Sequence, residues 1–343
     1  MRIAHFGLGV FVCVTFAIPA FGNQIADFYK GNRITHIIGH GVGGSYDSYA
    51  RLVDRHIGRH IPGNPTLISQ NMPGAGGRKA ASWLYNVAPK DGSAIATFSQ
   101  NIPIDQALSK KTLKYDVRKF SWIGNPFQSN NILVTWYTSG IKTIDDARKR
   151  EITVGGTGMN SPDTFYPRVA NSVLGTKFRI IPGYKSGSAI DLAMERGEVG
   201  GRGSNSWLTM KVKKAEWIRD NKVNILFQMG TRKEPELPQI PLLADLGKTE
   251  EQRQILEFVS SNVMLGRPIV TAPGVPADRV AALRKAFDET MKDPEFLADA
   301  KKHKMALNPV SGEMLQAHVI KTVEMPHAVL EKIRRLSAPK RKK

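Results

Sequence analysis

The chain has 343 residues, of which 41% are hydrophobic and 23% charged. This length is enough for two folded domains of ordinary size. Lysine and arginine outnumber aspartate and glutamate by 49 to 30, which sets the formal net charge at +19. No interleaved aromatics, zinc knuckle or recognition-helix pattern accompanies this charge, so we expect no nucleic-acid partner. A basic surface of this kind instead concentrates small anions.

Residues 1–22 have the pattern of a secretory signal peptide. Arg2 is the only charge, an apolar run extends from about Phe6 to Phe21, and Ala20-Phe21-Gly22 is a small-x-small cleavage site. An uncleaved anchor is the alternative, but the run is shorter than the roughly 20 residues of a membrane span and contains Pro19. We predict cleavage after Gly22 and a periplasmic location. Removing 22 of the 343 residues leaves 321 and takes away the single cysteine, so disulfides and thiol chemistry are excluded.

Strands, glycine-rich turns and helices alternate in the first part of the chain. Strands are predicted at 34–38, 66–70 and 93–98, and the first two lead into helices, the first of them capped by Ser45. This β-α-β-α-β order predicts a parallel sheet with right-handed crossovers. Ligands bind at the carboxyl ends of such strands, which here are residues 39–47, 71–77 and 99–102.

The same pattern begins again near residue 130. Strands are predicted at 131–136, 152–154, 178–181 and 225–227, and helices at 143–150, at 163–174 and after the turn 183–188. Trp207 and Trp217 are expected to pack from one helix. A strand at 267–273 should run back to the first unit, followed by helices at about 276–292, 294–303 and 311–335.

We therefore predict an α/β protein of two lobes with a cleft that closes on a ligand. The predicted divisions are a signal peptide at 1–22, a first lobe from 23–130 plus about 265–343, and a second lobe at 131–264.

Gly39, Gly41 and Gly44 have the G-x-G-x-x-G spacing of dinucleotide-binding proteins. That function requires an acidic residue after the second strand, to bond the ribose hydroxyls. The second strand ends in Ser69-Gln70-Asn71. The nucleotide interpretation is therefore disfavoured, and we expect no cofactor.

Several short motifs occur together in order along the chain. They are Gly43-Gly44-Ser45-Tyr46-Asp47 with Ala50-Arg51, Asn71-Met72-Pro73-Gly74-Ala75-Gly76, Ala88-Pro89-Lys90-Asp91-Gly92, Gly156-Thr157-Gly158, Gly183-Tyr184-Lys185, Arg196-Gly197-Glu198-Val199, Leu237-Pro238-Gln239-Ile240-Pro241 and Pro273-Gly274-Val275-Pro276-Ala277. The ordered set resembles the Bug-type periplasmic solute-binding receptors of tripartite tricarboxylate transporters.

This resemblance implies a type II, Venus-flytrap fold in which each lobe is a central sheet flanked by helices. It also implies a carboxylate held by backbone N–H groups, hydroxyls and waters from loops of both lobes, and delivery to membrane permease subunits. The chain departs from the family pattern at His40-Gly41-Val42 and in the turn after Tyr184, which is one residue longer.

The candidate ligand-binding residues lie in the loops that follow the strands. We assign the N–H groups of Gly43, Gly44 and Ser45 to one ligand carboxylate. Asp47 would repel an anion, so it either orders the loop or binds a ligand hydroxyl or ammonium. The second lobe contributes Gly156, Thr157, Gly158, Met159, Asn160 and Ser161, and loop position alone adds Ser99, Tyr184 and Ser204.

His56 and His60 have a spacing that metals use, but no carboxylate completes a third ligand position, so we expect no metal site. No H-E-x-x-H, G-x-S-x-G or S-x-x-K with a partner pattern is present, and we assign no catalytic residues. Three hypotheses remain: a monomeric receptor that delivers a small organic anion to a permease, a periplasmic sensor of the same fold, and a secreted enzyme.

Overall fold

A computed structural model describes residues 21–109 and 112–337 of the protein. Most of the predicted signal peptide, including Cys13, lies outside the described residues. Within the described part, no helix combines the length and the apolar character needed to cross a membrane.

Eleven strands and fourteen helices form the described chain. The strands are β1 Arg33–Ile38, β2 Thr66–Asn71, β3 Ala94–Thr97, β4 Ser121–Asn125, β5 Asn131–Trp136, β6 Ile152–Gly156, β7 Phe178–Pro182, β8 Gly201–Ser206, β9 Val223–Met229, β10 Ile269–Thr271 and β11 Val310–Ser311. The helices are α1 Phe21–Tyr29, α2 Ser45–Ile57, α3 Arg78–Asn86, α4 Ile102–Leu108, α5 Ile144–Lys149, α6 Pro162–Leu174, α7 Gly187–Glu195, α8 Trp207–Lys213, α9 Ala215–Arg219, α10 Glu250–Ser260, α11 Ala277–Thr290, α12 Pro294–Lys302, α13 Gly312–Val323 and α14 His327–Ser337.

The first sheet contains six strands in the order β11-β4-β10-β3-β1-β2. Strands β1, β2 and β3 are parallel, as the β-α-β-α-β pattern predicted, and α2 and α3 supply the crossovers that parallel pairing requires. Strand β10 returns from the second lobe and pairs antiparallel with β3 and β4. The core of this lobe is aromatic-rich and contains Phe98, Phe120, Trp122, Phe127 and Phe287.

The second sheet contains five strands in the order β7-β6-β8-β5-β9. Strand β5, which enters from the first lobe, pairs antiparallel with β8 and β9. Alternation along β5 sends Ile132, Val134 and Trp136 into one cluster and Leu133 into the other. Both faces of this sheet are therefore covered by packed side chains. The predicted architecture of two lobes, each with a central sheet flanked by helices, is confirmed, but both sheets are mixed where a parallel sheet was predicted.

The chain passes between the two sheets after β4 and again before β10. In each sheet one inner strand is antiparallel to both of its neighbours: β10 in the first sheet and β5 in the second. Each of these is the first strand after the chain crosses from the other sheet. The two lobes therefore share one strand order. The last helix α14 packs against both α6 and α4, and its Ile333 joins a core cluster of the second lobe. The predicted lobe boundaries stay a prediction.

Three local predictions were wrong. Ser45 does not cap α2: Gly44 holds the N-cap position without a side-chain bond, and Ser45 is the first helical residue. The helix predicted at 311–335 is two helices, α13 and α14, because Pro326 has no N–H for an intrahelical bond. Trp207 and Trp217 lie on separate short helices, although both are buried in one cluster.

Candidate functional site

The N-termini of three helices meet at a cavity between the lobes. Helix α2 of the first lobe begins at Ser45, and helices α6 and α7 of the second lobe begin at Pro162 and Gly187. The cavity is small: the volume that the centre of a water molecule can reach is ≈ 50 Å³. Helix N-termini carry free N–H groups and the positive end of the helix dipole, so their convergence favours an anion.

Polar side chains dominate the lining of this cavity. The lining residues are His40, Gly44, Ser45, Tyr46, Gln100, Asn131, Thr157, Pro162, Asp163, Ser186, Gly187, Arg202, Ser204, Asn205, Ser206 and Arg267. Both lobes contribute, and two of the residues are arginines. The site therefore combines hydrogen-bond donors with positive charge.

The first glycine-rich loop is ordered by Asp47. Its carboxylate accepts hydrogen bonds from the Gly43 N–H at 3.0 Å, from Arg51 Nε at 2.8 Å and from Asn71 Nδ2 at 2.8 Å. Asn71 also donates to the His40 carbonyl at 2.9 Å. The bonds of Asp47 thus hold the loop in its conformation, and the Gly43 N–H is used within the protein.

The second-lobe loop holds a buried carboxylate in the same way. Asp163 accepts from the Thr157 N–H at 3.0 Å, from Thr157 Oγ1 at 3.1 Å and from Ser161 Oγ. Burial raises the pKa of Asp163 above its ordinary value, while these hydrogen bonds and the charge of Arg202 act in the opposite direction. This loop is therefore organised around an acid that belongs to the protein.

Loops of the two lobes meet directly beside the cavity. The Gly41 N–H donates to the Lys185 carbonyl at 3.2 Å, and Ser188 Oγ donates to the Gly43 carbonyl at 2.9 Å. Gly158 lies so close to Gly76 that a Cβ on Gly158 would be 2.7 Å from the Gly76 nitrogen. The structure is therefore a closed conformation in which backbone from opposite lobes touches at glycines.

The structure brings only part of the predicted site residues to the cavity. Gly44, Ser45, Thr157 and Ser204 line it. Others, Gly43, Asp47, Gly158 and Ser161, hold the adjoining loops through the hydrogen bonds of those loops.

The remaining predicted residues occupy other positions. Ser99 accepts from the Asn101 N–H, Gly156 accepts from the Tyr184 N–H, Met159 is 58% exposed, and the Asn160 carbonyl accepts from Asn101 of the other lobe. Their roles toward a ligand stay predictions.

Sequence reasoning missed both arginines of the cavity, Arg202 and Arg267. Arg202 stands in Gly201-Arg202-Gly203 on β8, a strand without apolar residues. Arg267 immediately precedes the apolar residues that lead into β10. For Arg267 the available signal was a charged residue at the start of a predicted buried strand, because charged residues are almost never fully buried unless they are paired. Arg202 gave no such signal, since β8 was not predicted.

Three buried polar atoms of the lining have no hydrogen-bond partner among the described residues: His40 Nδ1, Gln100 Nε2 and Arg202 Nε. Burial, reinforced by the charge of Arg267, lowers the pKa of His40 to about 3, so the imidazole is neutral at neutral pH. Its ring stacks on Tyr46 with centroids 4.0 Å apart. Buried polar atoms without partners are rare, and these point to a ligand that supplies the missing bonds.

The histidines at 56 and 60 have structural partners. His56 Nε2 lies 2.8 Å from Asp299, and His60 Nε2 lies 2.7 Å from Asp293. Both bonds tie α2 and the turn after it to the region of α12. The described residues contain no group of three or more His, Cys, Asp or Glu side chains placed to hold a metal ion.

Known proteins resemble this chain over most of its length. A UPF0065 protein from the gbd 5′ region of Cupriavidus necator is 25% identical over 327 residues, which cover 92% of this chain and 91% of that protein. The structure of the periplasmic binding protein BugD matches with a TM-score of 0.69 at 19% identity, over 89% of this chain and 98% of BugD. MatC from Rhodopseudomonas palustris, solved with bound malate, matches with a TM-score of 0.67 at 17% identity, over 87% and 99% of the two chains. No family model matches the chain.

Proposed function

From the premise that the sequence relatives and structural neighbours of this chain are Bug-type periplasmic binding proteins, as its motifs predicted, we propose that it is a receptor for a small organic acid. It is exported to the periplasm, captures the acid between its lobes and passes it to a membrane permease. The ligand class is supported by MatC, which was solved with malate.

One observation carries this proposal. The N-termini of α2, α6 and α7 and the side chains of Arg202 and Arg267 converge on one cavity between the lobes. The unpartnered atoms Gln100 Nε2 and Arg202 Nε are hydrogen-bond donors, and a carboxylate is an acceptor with two oxygens. A ligand anion therefore matches both the charge and the hydrogen-bonding capacity of the lining.

The small cavity favours a small ligand. The centres of water molecules can reach only ≈ 50 Å³ of it. We expect acids of a few carbon atoms to be accepted with slight adjustment of the lobes, and large or branched acids to be excluded.

The test is a thermal-shift screen of the mature protein against di- and tricarboxylates, aromatic acids and amino acids. We expect at least one acid to raise Tm with a saturable concentration dependence, because a ligand that binds only the folded state stabilises it by mass action. A folded protein that no organic acid stabilises would overturn the proposal. Uptake of the identified acid by a deletion strain, with and without the restored gene, separates delivery to a permease from signalling. Incubation of the protein with that acid, followed by product analysis, tests for turnover.

A further inference from the structure

The two loops that the sequence assigns to a ligand carboxylate already bind carboxylates of the protein. Asp47 accepts the Gly43 N–H, and Asp163 accepts both the N–H and the hydroxyl of Thr157. Ser161 Oγ also donates to Asp163. A ligand anion therefore needs another counter-charge in the cavity.

Arg267 is a buried cation without an acidic partner. Its exposed fraction is 6%, and it forms no salt bridge with a carboxylate of the described residues. Its Nε donates to Ser45 Oγ at 2.9 Å, and its guanidinium lies 5.3 Å from the Tyr46 ring centroid and 5.1 Å from that of Phe127. The two terminal Nη groups make no hydrogen bond with any described residue, so four N–H donors are left for a ligand.

Arg202, from the opposite lobe, differs in this respect. Its Nη1 donates to Asp191 at 2.8 Å, so the protein itself compensates this charge. The like charge of Arg202 disfavours the charged form of Arg267, as does burial, which has the larger effect and lowers the pKa of Arg267. Closure of the lobes therefore leaves one positive charge in the cavity without a partner, and it belongs to Arg267.

We propose that Arg267 is the residue that recognises the ligand's carboxylate, through bidentate hydrogen bonds from its two Nη groups, beside Ser45 at the N-terminus of α2. This inference rests on the proposed function and specifies its chemistry: the ligand is an acid whose free carboxylate is required, and the corresponding amide is rejected. A planar guanidinium matches both carboxylate oxygens, and the desolvated site makes the pairing strong.

A purely structural role for Arg267 makes the opposite prediction. Its backbone N–H donates to Asn125 Oδ1 at 2.9 Å, and its side chain packs on aromatic rings. If these contacts were its whole function, removing the charge would lower stability and leave the choice between acid and amide unchanged. An unpaired buried charge costs folding free energy, so removing it should not destabilise the ligand-free protein.

The test compares wild type with two variants. Arg267→Met keeps an apolar side chain of similar length, and Arg267→Lys keeps the charge but loses the planar guanidinium group. Arg219→Met is the control, since Arg219 is an exposed residue of α9 paired with Asp220. Isothermal titration uses malate and succinate, each beside its amide. We expect Arg267→Met to bind the acids at least roughly 30-fold more weakly, Arg267→Lys about tenfold more weakly, and the control like wild type.

The outcomes separate this inference from the proposed function. If wild type binds none of the acids of the wider screen, the proposed function fails and the inference with it. If wild type binds an acid and Arg267→Met binds that acid equally well, the inference alone is wrong. Ligand-free Tm, expected to be equal or higher in Arg267→Met, shows that the variant folds. If Arg267→Met does not fold, Arg267→Lys replaces it as the test, and binding of the acid by Arg267→Lys with wild-type affinity overturns the inference.

Discussion

His40 is a buried histidine whose protonation would add a second positive charge next to Arg267. Its pKa is lowered to about 3, from an ordinary value near 6.5, by burial first and by Arg267 second. Between these two values the unfolded chain binds a proton that the folded chain does not. Stability from this site is therefore complete above about pH 6.5 and declines as the pH falls.

We expect replacement of His40 to flatten the acid side of the stability curve. At pH 4.5, two units below the ordinary pKa, the wild-type residue costs about 2–3 kcal/mol relative to pH 7.5. The difference in unfolding free energy between wild type and His40→Gln, from urea denaturation at both pH values, should change by that amount in favour of the variant. The raised pKa of Asp163 has the opposite slope, but it is common to both proteins and cancels.

The control for this measurement is His327→Gln, the same substitution at a side chain that is 82% exposed. The effect of His40 is read as the difference between the two substitutions at each pH. Parallel curves for wild type and His40→Gln would contradict the assignment of a neutral, buried imidazole.

At the scale of elements, closure of the lobes depends on a loop that approaches the opposite lobe through glycine. Gly158 follows β6, and a Cβ there would lie 2.7 Å from the nitrogen and 2.9 Å from the Cα of Gly76. Gly158 itself does not have the positive φ that favours glycine. An alanine is therefore compatible with the loop and incompatible with the contact between lobes.

Gly158→Ala should weaken ligand binding and leave the ligand-free fold intact. A methyl group that prevents full closure removes contacts that exist only in the closed state, and we expect a loss of roughly 1–3 kcal/mol in binding. Titration with the best acid of the screen measures the effect, and the Tm of the ligand-free protein serves as the internal control. Unchanged affinity would show that this contact is not part of the ligand-bound state.

The elements themselves were predictable to different extents. Strands β1, β2 and β5 were found from short runs of apolar residues, and helix α6 from apolar residues at the helix period. Strand β8, Gly201–Ser206, was missed because none of its residues is apolar, although it is buried at the centre of the second sheet. Its neighbours β5 and β6 supply the environment that makes it a strand, and this information is not local.

On the scale of the whole molecule, the two lobes share one strand order and meet at the cavity. In the closed form the like charges of Arg202 and Arg267 are close enough to repel each other. A bound anion reduces that repulsion, so closure and anion binding should favour each other.

We therefore expect ligand to shift the protein in solution from open to closed forms. Small-angle X-ray scattering of the mature protein should show a smaller radius of gyration when the best acid is added in excess. Gly158→Ala should contract less at the same saturation, because its methyl group opposes the contact with Gly76. An identical radius of gyration with and without ligand in wild type would show that closure does not depend on the anion.

Sequence alone determined the fold class of the protein. The apolar pattern predicted two α/β lobes, and the order of short motifs gave the resemblance to a receptor family, because both are properties of neighbouring residues along the chain. It also located the loops after β1 and β6 that border the cleft, and it left open whether Asp47 orders its loop, which the three hydrogen bonds of that carboxylate now show.

Only the tertiary structure decided which groups in the cleft are free. Asp163 takes up the donors of Thr157 and Ser161, while Arg267 comes from a crossing segment more than 200 residues after Ser45 and forms no salt bridge with a carboxylate of the described residues. Whether a charge is paired depends on what surrounds it in space. Residues distant in the chain provide those surroundings, and local sequence patterns carry no record of them.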